Sequence, residues 1–287
     1  MANIKLIKRR IKSAQNISQI TKAMEMVAAS KMKKSQITAL NGKEYAEKIN
    51  TAVKILAQKL SPEKDFHPLL SKGNPDGLNL YVLISTNKGL CGGLNTNLFR
   101  YLTSIVDKNG KNEFISIGKK GSNFLARLKY NLIADFSDNV PFVSNISALT
   151  QLLVEGFISG KYAKVVLVYN NFISALNQQP VDNKILPVEK MEEAQKEEIS
   201  QFNEFLLEPN AVEVLNSLLP HFLENQIRTA IYEAEASEHS ARMIAMKNAT
   251  DAALDLIDDL TLLYNKARQE KITYEIADIV TARLSVK

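Results

Sequence analysis

Apolar residues in the first third of the chain recur at steps of three and four. The line Ile4, Ile7, Ile11, Ala14, Ile17, Ile20, Met24, Val27 follows the helical period. It predicts a helix from about Asn3 to Lys59, with Gly42 its one weak point. A second line of the same period closes the chain: Ile227, Ala230, Ala234, Ser237, Ala241, Ala245, Ala249, Ala252, Leu256, Leu260, Leu263, Ala267. Its first part is almost all small side chains, which let another helix approach closely, and the large Ile and Met line of the first helix is the natural occupant. Asn210 stands three residues before Glu213, the spacing of a capping box, so the last helix is predicted to start there. Pro220 should kink or interrupt its early part.

Between the two lines the pattern changes. Leu78–Ser85, Glu113–Ile117 and Tyr162–Tyr169 are short apolar runs of strand type, with a short strand expected near Leu132–Phe136. Helical stretches separate them at about Leu94–Val106, after Gly118 to about Leu128, and Asn145–Gly160. Phe172–Gln178 and Lys184–Val188 read as a hairpin with Pro180 in its loop. Alternation of this kind predicts a small doubly wound, Rossmann-like α/β domain. The organisation expected is a helix over 1–60, a linker over 61–77, an α/β domain over 78–190, an acidic connector over 191–209 and a helix over 210–287. A compact middle keeps the end of the first helix near the start of the last, so the two should run antiparallel as a long coiled coil.

Glycine and proline placement sharpens this picture. The last 67 residues, His221–Lys287, contain neither residue, nor do the first 41, and all 11 glycines lie between Gly42 and Gly160. A helix of that final length would extend roughly 100 Å, against a usual mean of about 11–12 residues. The last helix should outrun the first by about 10–20 residues, roughly 15–30 Å. That excess carries Ile272, Ile276, Ile279, Val280, Leu284 and Val286. An apolar tip without cover inside the chain calls for a socket in another protein.

Charge separates the two ends. Residues 1–34 hold nine Lys and Arg against one acid, Glu25, while residues 189–259 hold 16 acids against five Lys and Arg. A basic helix alone would suggest nucleic acid, but the acidic complement lies in the same chain, so no nucleic acid is expected. The single cysteine, Cys91, excludes an intrachain disulfide. No apolar run is long enough to span a bilayer, and no signal segment is recognisable.

Candidate chemistry is sparse. Gly89–Gly93 follows a strand but lacks both the Walker spacing and a full GxGxxG. Gly118-Lys119-Lys120-Gly121-Ser122 reads as a glycine turn with exposed lysines. The three histidines are scattered, so no zinc site is expected. Glu235, Glu238 and His239 have the spacing of half a di-metal bundle, but no second Glu-x-x-His appears, which favours a solvated face. No catalytic, cofactor or metal residue is assigned. Two rival readings are a nucleotide-binding α/β enzyme, which would need a phosphate loop and an acid–base set, and a coiled-coil scaffold.

Three runs carry a resemblance: RRIKSAQNISQITKAMEMVAASKMKKSQ at 9–36, STNKGLCGGLNTNLF at 85–99, and EASEHSARMIAMKNATDAALDLIDDLTLLYNKARQEKITYEIADIV at 235–280. Their sequence and order resemble the gamma subunit of F-type ATP synthase along essentially the whole chain. The family usually continues its C-terminal motif with Gly-Ala, where this chain has Ala282-Arg283, and often has Asn where Ala252 stands. The resemblance implies a central rotor shaft inside a ring of alpha and beta subunits, with catalysis on the ring. It implies an α/β domain outside the ring that contacts the epsilon subunit and the ring of c subunits. Rotation driven by proton or sodium flow would push each beta subunit through open and closed states. Met24 matches a level of the shaft close to beta-subunit loops. Arg268, Gln269, Thr273 and Glu275 match positions facing a beta-subunit loop, and Glu208 matches the region facing the c ring. Ile276 and Ile279 belong to the apolar tip. The implied location is the cytoplasmic face of a bacterial cell membrane, held there through the complex.

Overall fold

The computed structural model describes residues 4–59, 68–70, 73–107, 110–138, 140–188, 208 and 210–284. The first helix, α1, is Ile4–Lys59, and a 3-10 turn follows at Pro68–Leu70. Then come β1 (Leu78–Ile84), α2 (Leu94–Ile105), β2 (Asn112–Ile117), α3 (Lys119–Arg127) and β3 (Leu132–Asp135). A 3-10 turn at Phe142–Asn145 leads into α4 (Ile146–Ile158), β4 (Tyr162–Phe172), β5 (Gln178–Leu186) and the last helix, α5 (Ala211–Leu284). Among the described residues no helix is long and apolar enough to cross a membrane. The chain divides into two compact units, one of Met1–Ala29 with Arg242–Lys287, the other of Ser30–Ala241.

The central unit is built on a five-stranded sheet in the order β3-β2-β1-β4-β5. The first four are parallel, and β5 pairs antiparallel with β4. β1 is apolar nearly throughout because both of its faces are covered. Leu80, Val82 and Ile84 point into one core, Tyr81 and Leu83 into the other. The second core is closed by Leu98 and Leu102 of α2 and Leu125 of α3, with Phe114 stacked 5.6 Å from Tyr81 and 4.6 Å from Tyr130. The first is closed by α4, by Ile49, Val53 and Leu56 of α1, and by α5 from Leu215 to Ile231. The start of the long C-terminal helix is thus a layer of the α/β domain. In this unit Lys31 faces Glu235, while the later residues 49–56 of α1 share a core with the earlier residues 215–231 of α5. The two helices therefore run antiparallel.

Several details differ from the sequence reading. β4 continues to Phe172 and itself forms the hairpin with β5, turning through residues 173–177. Pro180 is not in the loop but inside β5, opposite Asn170. β5 is an edge strand, where a missing N–H costs no ladder bond. Pro220 does not interrupt α5, because Leu215, Leu219, Phe222 and Leu223 are buried on both sides of it and clamp the helix to the core. The expected linker holds a 3-10 turn whose Leu69 is buried and whose carbonyl accepts the Val188 N–H at 3.0 Å. Of the expected acidic connector only Glu208 lies within the described residues. Asn210 caps α5 as expected, its Oδ1 accepting the Glu213 N–H at 2.9 Å, but the reciprocal bond of a capping box is replaced by a side-chain pair, Asn210 Nδ2 donating to Glu213 Oε1 at 3.0 Å.

In the terminal unit the two helices pack along a seam of period 3.5. On α1 the covered positions include Ile4, Ile7, Ile11, Ala14, Ser18, Thr21, Glu25 and Ala28, with Met24 and Ala29 half-buried at its edge. On α5 they include Met246, Thr250, Ala253, Ile257, Leu260, Tyr264 and Ala267, with Ala245 and Ala249 of the expected line half-buried. Steps alternating three and four residues are the heptad pattern of a left-handed coiled coil. The hydroxyls of Thr21 and Thr250 meet across it at 2.7 Å. After Ala14 the expected apolar line departs from this seam, with only Met24 still half-buried. Ile17, Ile20 and Val27 of α1, and Leu256 and Leu263 of α5, face outward. The reason is the period. The apolar line advances in shorter steps than the seam and rotates onto the surface, while small and polar residues (Ser18, Thr21, Ala28) take the contact positions.

Candidate partner-contact surface

Ala267 is the last buried residue of α5 among those whose side chains are described. Every residue from Arg268 to Arg283 is exposed, 16 in succession, or roughly 24 Å of helix. Nothing in sequence composition forces this stretch to stay helical except the absence of breakers. Its apolar residues include Ile272, Tyr274, Ile276, Ile279 and Val280, with Ile276 57% and Ile279 68% exposed. Lone exposed apolar residues are ordinary; a run of them on one bare helix marks an interaction surface.

The residues singled out from the sequence fall on this stretch with two exceptions. Arg268, Gln269, Thr273, Glu275, Ile276 and Ile279 all lie on it and are exposed. Within it Thr273 donates to the Gln269 carbonyl at 3.0 Å, and Lys271 pairs with Glu275 at 3.4 Å. Met24 is half-buried on α1 of the same unit. Glu208 is exposed just before the α5 cap, in the other unit. Sequence reasoning missed the outward apolar face of the coiled coil, Ile17, Ile20, Met26 and Val27 on α1, because it assigned most of that line to the seam. Past Ala14 the seam runs through Ser18, Thr21, Glu25 and Ala28, so hydrophobicity along the chain carries no signal that separates the two faces there.

The glycine turn that opens α3 is structural. Gly118 has φ +104°, and a Cβ there would lie 2.3 Å from the Ser85 carbonyl oxygen. At the start of α3 the Lys119 N–H donates to Asn87 Oδ1 (2.8 Å), Lys120 N–H to Thr86 O (3.1 Å) and Gly121 N–H to Ser85 Oγ (2.8 Å). The donors that would cradle a phosphate at a helix N-terminus are taken by the loop after β1. Lys119 Nζ is paired with Asp138 at 2.9 Å. This agrees with the reading of a glycine turn with surface lysines.

Glu235 is not on a solvated face. It lines a small cavity with Ser85, Thr86, Asn170 and Glu238, because α5 lies against the C-terminal ends of β1 and β4. No cluster of three or more His, Cys, Asp or Glu residues suited to a metal occurs among the described residues. Burial, and then repulsion from Glu238, push the Glu235 carboxyl above its ordinary value near 4.5, while Lys31 pulls the other way. The folded chain therefore holds this proton more readily than the unfolded chain. Stability is lost as pH rises from about 4.5 through the raised value, and the cost is complete above it. Glu235→Gln is expected to raise the melting temperature at pH 7–8, with the gain shrinking toward pH 4. Thermal melts of both chains across pH check this; a gain independent of pH, or a loss at neutral pH, would contradict it.

A family profile described as ATP synthase matches residues 3–285. An ATP synthase gamma chain of Dehalococcoides mccartyi is 41% identical over 283 residues, covering 98% of each chain. One from Halothermothrix orenii is 38% identical and covers 100% of both. Among solved structures, a chain of the Tetrahymena thermophila mitochondrial ATP synthase central stalk and c-ring aligns with TM-score 0.59 at 26% identity, covering 80% of this chain and 99% of that one. A chain of the Euglena gracilis mitochondrial ATP synthase shares the fold, with TM-score 0.67 at 20% identity over 99% of this chain and 94% of that one. Matched from end to end by the profile and by bacterial relatives of nearly equal length, the chain belongs to the ATP synthase gamma chain family.

Proposed function

We propose that the chain is the central-stalk rotor subunit of a rotary ATP synthase. It turns inside a ring of alpha and beta subunits and couples transmembrane flow of protons or sodium ions to ATP synthesis or hydrolysis. The observation that carries this reading is the bare end of α5, whose 16 residues Arg268–Arg283 are exposed on all sides yet hold a run of large apolar side chains. A shaft seated in a bearing needs such an end. The outward apolar face of the coiled coil extends the same logic along the shaft. Arg268, Gln269, Thr273 and Glu275 then meet a beta-subunit loop, Ile276 and Ile279 enter the apolar bearing, and Met24 lies near beta-subunit loops. Glu208 faces the c ring, and the α/β domain meets the epsilon subunit. The complex holds the chain at the cytoplasmic face of the membrane. Because contacts differ between open and closed states of each beta subunit, rotation shifts their populations in turn.

The chain itself is non-catalytic. In open α/β sheets, ligands sit outside the carboxyl ends of the strands where the strand order reverses, here between β1 and β4. Ile231 and Ala234 of α5 line what remains of that crevice, and the α3 N-terminus is already satisfied by the β1 loop. Calorimetric titration of the pure chain with ATP and magnesium is expected to give no binding heat, and a phosphate-release assay no turnover. Binding or turnover lost on Lys119→Ala, a surface change that leaves the turn intact, would favour the nucleotide-enzyme reading instead. Co-expression with alpha and beta subunits tests the rotor reading itself: the chain should purify in one complex with both, and a chain that purifies alone would refute it.

A further inference from the structure

The cavity at the β1/β4 switch point measures about 10 Å³, room for about one water molecule. Most of its lining is apolar: Ile84, Leu94, Phe142, Ile231 and Ala234. One of its polar residues is left wanting. Asn170, on β4, is only 3% exposed, and its Oδ1 has no hydrogen-bond partner. Buried amide oxygens are satisfied in nearly all native structures, by protein or by ordered water. No hydroxyl in the lining is free to donate to it. Ser85 Oγ donates to the Gly118 carbonyl at 3.1 Å and accepts from the Gly121 N–H at 2.8 Å. Thr86 Oγ1 donates to the Lys88 carbonyl at 2.8 Å and accepts from Asn95 Nδ2 at 2.8 Å. Glu235 offers carboxyl oxygens.

We propose that the cavity is a built site for one water molecule, which donates to Asn170 Oδ1 and links β4 to the Glu235 carboxyl group on α5. The water completes an attachment already begun beside it, where Ser237 Oγ on α5 donates to the Asn170 carbonyl at 2.9 Å. It fastens the long helix to the sheet at the place where other α/β folds hold a ligand. A hard cation is the poorer occupant. Mg²⁺ and Ca²⁺ take six or more oxygens, whereas a cavity of about 10 Å³ has room for few ligands, both hydroxyls in its lining are engaged, and the positive charge of Lys31 acts on Glu235. A proton on Glu235, favoured by its burial, suits the water equally well, since the water can accept from it while donating to Asn170.

The test uses the full chain. A high-resolution crystal structure should show one density peak in the cavity within hydrogen-bond distance of Asn170 Oδ1. Oxygen-17 relaxation dispersion should count one long-lived internal water fewer in Asn170→Leu, which fills the site with carbon, than in wild type. Asn170→Met serves as a second variant, and the wild-type map decides alone if neither variant folds. An empty cavity in that map, or equal water counts in a folded variant, overturns the proposal. A peak with anomalous signal after soaking in Mn²⁺ overturns it too, in favour of a cation.

Discussion

Ile276→Asp combined with Ile279→Asp is expected to leave the isolated chain about as stable as wild type and to cripple its assembly with alpha and beta subunits. Both side chains are largely exposed in the free chain, so their removal breaks no internal contact. Surface substitutions of this kind cost about 0.5 kcal/mol or less each. The lower helix propensity of Asp and its place near a helix C-terminus add only tenths. In a closed apolar bearing the balance is different. Each isoleucine would lose roughly 1–2 kcal/mol of burial, and each carboxylate would have to be desolvated or excluded. A total near 4 kcal/mol is about a thousandfold in affinity. Apolar burial suits a bearing because it is non-directional and does not prefer one rotational angle. Melting of the free chain and assembly yield with purified partners check both halves. Full assembly and ATPase coupling of the double variant would remove the apolar-socket account of the tip.

The converse is expected for Leu223→Ala. Leu223 is fully buried where α5 packs on the sheet, in one core with Val53 of α1, Leu80 of β1 and Leu149 of α4. Truncating a buried leucine costs about 2–5 kcal/mol, the upper end where the walls cannot collapse. Here the walls come from two long helices, α4 and a sheet strand, so little relaxation is expected. Denaturant unfolding should show that loss in the isolated chain. Leu263→Ala, exposed on the coiled coil, should change stability by about 0.5 kcal/mol or less in the same assay. Equal losses at the two sites would mean that the outward line is covered after all.

These two results separate the two jobs of one helix. The first part of α5 is a layer of a domain, and its leucines act on folding. The last part has no partner among the described residues, and its isoleucines act on assembly. A residue's hydrophobicity is the same in both places; only the neighbours differ.

Much of this was legible in the residues alone. The long helices follow from runs without glycine or proline, since no backbone in them resists the helical dihedrals. The α/β middle follows from apolar strands punctuated by glycine turns, and the cap at Asn210 from one spacing. The overhang follows from counting residues at a fixed rise. These features are local: each depends on residues a few positions apart. The family itself was carried by three runs of residues in order.

The departures all depend on long-range neighbours. Ile17 and Val27 look like seam residues until a 3.5-residue supercoil turns them outward and gives the seam to Ser18, Thr21 and Ala28. Pro180 looks like a loop residue until β5 proves to be an edge strand. Pro220 looks like a break until the leucines around it are seen to be clamped by the sheet. Glu235 looks solvated until α5 is laid across the ends of β1 and β4, where it closes the crevice that a ligand would otherwise use. Period, cap and breaker are written along the chain, but which face of an element is covered depends on residues as far as 229 positions away, and burial follows from that pairing.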